Sequence, residues 1–162
     1  MKSNLRIFVI LVIVTVFTFL LWKMQEGDNG DLSSEVTTDF AIADTSLVTK
    51  IFIAGTNGES VLLERRSDTR FWTLNGKHLA RKDATDLLLK TFARAEVKGA
   101  VPELKRSTVI RNLSGSGKKV EIYLGDDKLD KTWYIGTATP SHTGTYMLLE
   151  TPEEGKSQEP FI

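Results

Sequence analysis

The chain has 162 residues, 21 basic against 21 acidic side chains, two histidines and no cysteine. That balance lacks the strongly basic footprint of a nucleic-acid binder. Without a thiol there is neither a disulfide framework nor a lipidated cysteine, so burial alone must hold a folded domain together.

Ile7 to Trp22, IFVILVIVTVFTFLLW, is an uncharged and mostly apolar run with Arg6 before it and Lys23 after it. A bilayer core of about 30 Å needs about 20 such residues as a helix. Leu5 to Met24 reaches that length once Arg6 and Lys23 extend their charged heads into the interface. A cleaved secretory signal has an apolar core of about 7 to 15 residues followed by small residues. Here Leu20-Leu21-Trp22-Lys23-Met24 offers no Ala-x-Ala pattern and places a Trp where interfacial anchors sit. Residues 1–23 are therefore expected to be a retained transmembrane anchor, which makes the lipid bilayer the first partner, through Ile7 to Trp22. Lys2 and Arg6 precede the run, whereas between Met24 and Ser46 there are six acids and no Lys or Arg. By the positive-inside rule the amino terminus lies in the cytoplasm and the rest outside. The expected location is the inner (cytoplasmic) membrane, single-pass, with a periplasmic or extracytoplasmic domain.

Residues 24–39 are acidic, Gly and Ser rich and poor in large apolar side chains, which reads as a flexible tether. A chain of that length spans about 20 Å on average. Residues 40–162 are long enough for one modest core. Setting aside Lys2, Arg6 and Lys23 from the bases and the six acids from the acids leaves 18 against 15 from Leu47 to Ile162, a mild charge that gives no reason to expect a nucleic-acid partner.

From Leu47 the pattern has period two, with Leu47, Thr49, Ile51 and Ile53 on one side. Thr56-Asn57-Gly58-Glu59 then intervenes before Val61 and Leu63 resume, a hairpin signal because Asn-Gly accepts the positive φ angles of a tight turn. Phe71-Trp72-Thr73-Leu74, Asn75-Gly76 and Lys77-His78-Leu79-Ala80 repeat the pattern. Next, Ala84, Leu87, Leu88, Thr91, Phe92 and Ala95 recur at helical steps, predicting one amphipathic helix from Asp83 to Ala95 with Leu88 at the centre of its stripe. Asp83 and Asp86 suit its amino end, and Lys90 and Arg94 its carboxyl end. Val97 to Val101 reads as extended, and Ser107 to Leu113 as a brief helical turn broken by Ser114-Gly115-Ser116-Gly117. Lys119 to Leu124, Lys131 to Ile135 and Gly144 to Glu150 then read as strands. The expected fold is α+β: antiparallel hairpins and a meander, with one helix packed on a face of the sheet.

Phe40-Ala41-Ile42-Ala43-Asp44-Thr45, Val48-Thr49-Lys50-Ile51-Phe52, Trp72-Thr73-Leu74-Asn75-Gly76, Ala80-Arg81-Lys82-Asp83-Ala84, Val120-Glu121-Ile122-Tyr123 and Gly144-Thr145-Tyr146-Met147-Leu148-Leu149-Glu150 together resemble the bacterial family called domain of unknown function 4340, in the form seen in Bacteroidota. The weight lies in their order and spacing, which cover nearly everything after the tether. The resemblance implies a membrane-anchored envelope protein of unassigned activity. In other branches such domains accompany the membrane subunits of a gliding-type ABC transporter, and the family supplies no catalytic residue. Two features depart from it. Lys82 stands where a Pro is expected, and family members continue past the point where this chain ends, as a truncated or short member would. Glu159-Pro160-Phe161-Ile162 reads as the start of another strand and would leave a sheet edge open to a partner.

The two histidines, His78 and His142, have no second ligand at metal spacing. Ser141 beside His142 is a pair in sequence only, and a triad is a matter of spatial geometry. Ser114-Gly115-Ser116-Gly117 lacks the Gly-Lys-Ser/Thr of a phosphate loop. Trp72, Trp133, Tyr123, Tyr134 and Tyr146 would make a ligand platform only if they shared an exposed face. Lys105, Arg106, Arg111, Lys118 and Lys119 would meet anionic headgroups only if they clustered in space. No residue is assigned a catalytic, cofactor or metal role, and no cofactor is expected. The leading function is a non-catalytic outer domain that binds or scaffolds membrane-protein partners, such as an ABC-type transporter. Beside it stand an envelope glycan- or lipid-binding module and, third, a hydrolase using Ser141 and His142.

Because no small-residue cleavage pattern follows Trp22, mass spectrometry of the mature protein is expected to find the apolar run retained. A new amino terminus between Lys23 and Asp31 would instead identify a cleaved signal.

Overall fold

The computed structural model describes Thr18 and residues 40–65 and 71–162. Apart from Thr18, the expected anchor and tether lie outside the described residues. Among the described residues no helix is long and apolar enough to cross a membrane.

After a single 3₁₀ turn at Thr45–Leu47, strands β1 (Val48–Gly55) and β2 (Ser60–Arg65) form the first hairpin. They pair antiparallel with Ile51 opposite Leu63 and Ile53 opposite Val61. A bulge between Val48 and Lys50 resets the alternation, so fully buried Val48 shares a face with Ile51 and Ile53 in place of the expected Leu47 and Thr49. Strands β3 (Trp72–Leu74) and β4 (His78–Leu79) make the second hairpin. Asn75 and Gly76 both adopt positive φ, 51° and 65°, as the sequence predicts. Asn75 also ties the turn to β2: its Oδ1 accepts from the Leu62 N–H at 2.8 Å and its own N–H donates to the Leu62 carbonyl at 2.7 Å.

The predicted helix is α1 (Lys82–Ala93), with Lys82 as its first residue. Its stripe is rotated by one position. Three consecutive leucines at 87–89 leave the phase ambiguous, and the largest side chain decides it. Phe92 points inward at 1% exposure, carrying Thr85, Leu88 and Leu89 with it, while Ala84, Leu87 and Thr91 turn outward. Leu88 is thus half-buried and does not mark the centre. The buried Thr85 hydroxyl is satisfied within the helix by the Lys82 carbonyl at 3.0 Å.

A second helix, α2 (Glu103–Ser116), replaces the expected brief turn. Ser114 and Ser116 do not break it, because their hydroxyls donate back to the carbonyls of Ile110 and Asn112 at 3.0 and 3.2 Å. The helix ends at Gly117, whose N–H donates to the Leu113 carbonyl and where a Cβ would lie 2.2 Å from that oxygen.

Strands β5 (Lys118–Leu124), β6 (Lys128–Ala138), β7 (Thr145–Thr151) and β8 (Gly155–Lys156) complete an eight-stranded antiparallel sheet in the order β4-β3-β2-β1-β5-β6-β7-β8. Alternation along β6 and β7 serves two cores. Trp133 opposite Leu149 faces the cluster holding Phe92, Ile51, Ile122, Phe40 and Ile42, whereas Tyr134 opposite Leu148 faces Val109 and Leu113 of α2. The helices therefore cover opposite faces of the sheet. The fold class is α+β as expected, with two helices among the described residues in place of one.

Phe92 meets Trp133 edge-on at 5.1 Å between ring centroids. Phe92→Ala is expected to cost about 3 to 5 kcal/mol through lost burial and the cavity left behind. Leu87→Ala on the outer side should stay within about 0.5 kcal/mol. Urea denaturation of both variants compares them directly, and similar losses would mean that α1 is not packed through Phe92.

Candidate functional site

Where α1 ends, β6 and β7 are not covered by helix, and a groove of about 550 Å³ opens on that face. Its floor is apolar: Phe40, Trp133, Ile135, Met147 and Phe161. Phe161 reaches the floor because the chain's last residues add an edge segment. Phe161 exchanges both backbone hydrogen bonds with Met147, at 2.8 and 2.9 Å, and Ile162 donates to the Gly99 carbonyl at 3.0 Å. Gly144 admits this tail, since a Cβ there would lie 2.6 Å from Ile162 Cγ2. The carboxyl-terminal residues thus pair with β7, on the edge where the sequence left an open strand.

The rim is basic. Lys90 lies in the last turn of α1, Arg94 caps its carboxyl end and Lys98 stands on the segment after it, with Glu96 and the terminal carboxylate of Ile162 as the negative groups among the lining residues. Neither Lys90 nor Arg94 has an ion-pair partner among the described residues, and Lys98 donates to the Thr143 carbonyl across the groove. Leu87 adds an apolar lip at 65% exposure. In the floor, Trp133 is only 2% exposed, yet its indole N–H has no hydrogen-bond partner. Such an orphan donor costs about 1 to 3 kcal/mol, so it calls for an acceptor. A concave, mostly apolar site with a few charges at its mouth is the usual form of a small-molecule site.

The residues singled out in sequence do not assemble into a site. His78 is exposed on β4 and His142 is exposed in the β6–β7 loop. Ser141 shares hydrogen bonds with the hydroxyls of Thr139 and Thr143, at 3.2 and 2.9 Å, and none with His142. Among the described residues no three His, Asp or Glu side chains come together as a metal site. Ser114-Gly115-Ser116 is helical. The aromatics divide between faces, Trp72 and Trp133 in the first core and Tyr134 and Tyr146 against the second. Of the five clustered bases, Arg106 pairs with Glu159 at 2.9 Å and Lys119 with Glu121 at 2.6 Å.

The groove itself was not visible in the sequence, because Lys90 and Arg94 read as ordinary bases at a helix end and Ile135 and Met147 as ordinary strand residues. The usable signal was the overfilled apolar stripe of α1, whose surplus member Leu87 forms the lip. Comparison with protein-family models, with curated proteins and with solved structures finds no match to the chain.

The opposite face carries a polar ladder. Tyr134 donates to Glu150 at 2.6 Å beneath the Lys156 ammonium, which stands 3.8 Å from its ring centroid. Tyr123 donates to Glu121 at 2.8 Å, and Lys50 lies 4.5 Å from the Tyr123 ring centroid. Burial and then the neighbouring carboxylates push both phenols up to about 12 from an ordinary 10. Burial opposes ionisation of Glu121, but its hydrogen bonds from Lys119 and Tyr123 outweigh that and leave its carboxyl below the usual value. A phenol pKa raised in the folded state gives stability that is whole below about pH 10 and lost between about pH 10 and 12. The denaturation midpoint is expected to fall across that window and the fall to flatten in Tyr123→Phe/Tyr134→Phe. An unchanged slope would show that the two phenols do not cause the fall.

Proposed function

We propose that the chain is a single-pass protein of the bacterial cell envelope: Ile7 to Trp22 spans the inner membrane, the amino terminus is cytoplasmic, and the β-rich domain outside it binds or scaffolds partners without catalysing a reaction. One observation carries this reading, the run from Ile7 to Trp22 with Lys2 and Arg6 ahead of it and only acids between Met24 and Ser46. The resemblance to domain of unknown function 4340 points the same way and suggests the subunits of an ABC-type transporter as partners. The separation of Ser141 from His142 in hydrogen bonding leaves the hydrolase without a nucleophile–base pair.

A second reading has an observation of its own. The basic-rimmed apolar groove favours an envelope lipid-binding module over a glycan-binding one, because sugars are gripped by exposed aromatic faces and dense polar contacts, and Trp72 and Trp133 are buried.

Protease added to spheroplasts is expected to remove the domain, and copurification in mild detergent is expected to retain a membrane-protein partner. A domain that survives until the membrane is breached would reverse the orientation, and a chain recovered alone would remove the scaffold.

A further inference from the structure

We propose that the groove binds one free long-chain carboxylate, its hydrocarbon chain on the floor formed by Trp133, Ile135, Met147 and Phe161 and its carboxylate held at the rim by Lys90 and Arg94. This rests on the lipid-module reading, names the ligand, and does not depend on the anchor.

Three observations set the chemistry. The floor is hydrocarbon and aromatic, so what lies on it is apolar. A methylene occupies about as much space as a water's share of the liquid, about 30 Å³. A groove of about 550 Å³ therefore holds about 18 such groups, the volume of one acyl chain. The mouth is the third constraint. Lys90, Arg94 and Lys98 stand against Glu96 and the terminal carboxylate of Ile162, a net positive rim with Lys90 and Arg94 free of ion pairs among the described residues. A planar carboxylate matches the fork of a guanidinium and can be shared with an ammonium one helical turn away. Burial of each methylene adds to the binding, so chain length sets affinity while the rim sets the choice of head group.

The test uses the full chain in its native membrane, avoiding detergents that would compete for an acyl site. A photoactivatable diazirine analogue of palmitate is added, the membrane is irradiated, and cross-linked residues are mapped by mass spectrometry. Label is expected at groove residues, Leu87 and Met147 among them, displaced by excess palmitate and not by methyl palmitate. Lys90→Gln/Arg94→Gln should cut groove labelling at least about tenfold, the loss of one or more charge-assisted hydrogen bonds. Leu87→Glu, also at an exposed position, should cut it by placing a like charge at the mouth. Label on the Ile7 to Trp22 peptide is scored separately and reports the anchor, whatever happens at the groove. Unchanged groove labelling in both variants, or equal displacement by methyl palmitate, would overturn the carboxylate assignment. If a diazirine phosphatidylglycerol labels the groove and the free acid does not, the lipid module survives and this ligand is wrong. If neither labels it, both fall.

Discussion

The pairing of β1 with β5 is the constraint on which the rest of the structure depends. Each half of the sheet is a local product: β1 to β4 zip up by hairpins on one side, and β5 to β8 on the other. Small sheets of short strands are marginal in water without a covered hydrophobic face. Joining the halves puts Ile51 opposite Ile122 and Ile53 opposite Val120, and both isoleucines at the centre of that seam are fully buried. The contact is remote in sequence, so its loop-closure entropy must be met before burial rewards it. Mutations at this seam should therefore weigh on the whole domain, whereas those in an outer hairpin weigh on that hairpin first.

The topology of the seam dictates where the helices go. β4 lies at the outer edge and β5 at the centre, so the chain must travel back across the sheet, and both helices lie in that return. α1 crosses the face that carries Trp133 and Leu149, while α2 takes the face of Tyr134 and Leu148. Neighbouring residues on β6 and β7 thereby serve two separate cores. Close approach of α2 has its own requirement. A Cβ at Gly136 on β6 would lie 2.9 Å from Leu113 Cδ2 and 3.1 Å from the Tyr146 carbonyl oxygen, so a side chain there would force Leu113 to shift.

Strand pairs and the Asn75-Gly76 turn were legible in sequence because their signals are local, whereas at Asn57-Gly58 only Gly58 takes the positive φ expected of both residues. Asn75-Gly76 announces a turn that needs two positive φ angles, and Val120, Ile122 and Leu124 announce a strand by strict alternation. Two kinds of feature were hidden. Phase was one: a bulge after Val48 and the triple leucine at 87–89 each allow two faces, and only tertiary packing of Ile51 and Phe92 selects between them. The second was α2, whose buried positions are just Val109 and Leu113, a seam too narrow to show a period amid Ser and Gly. The groove lay further out of reach, because it draws on α1, the following segment, two strands and the tail, none of which is unusual alone.

Trp133 links the groove to the stability of the domain. Its ring is packed against Phe92 and Phe40, at 5.1 and 6.1 Å between centroids, and the same residue forms part of the groove floor. Phe161, held to β7 by backbone hydrogen bonds, packs edge-on against Phe40 at 5.7 Å and is shared in the same way. The floor is therefore an unfinished side of the main core and not an independent surface depression. On that side Leu87 is left exposed and the floor lacks a covering helix. An occupant that dries the floor adds to the burial that already holds α1 in place, and anything that binds the folded state alone stabilises it by mass action. Occupancy of the groove and retention of the tail pairing are thus coupled through Phe161. A ligand that needs Phe161 in place must also favour the pairing of residues 160–162 with β7 and residues 99–101, which closes the sheet edge that the sequence had left open.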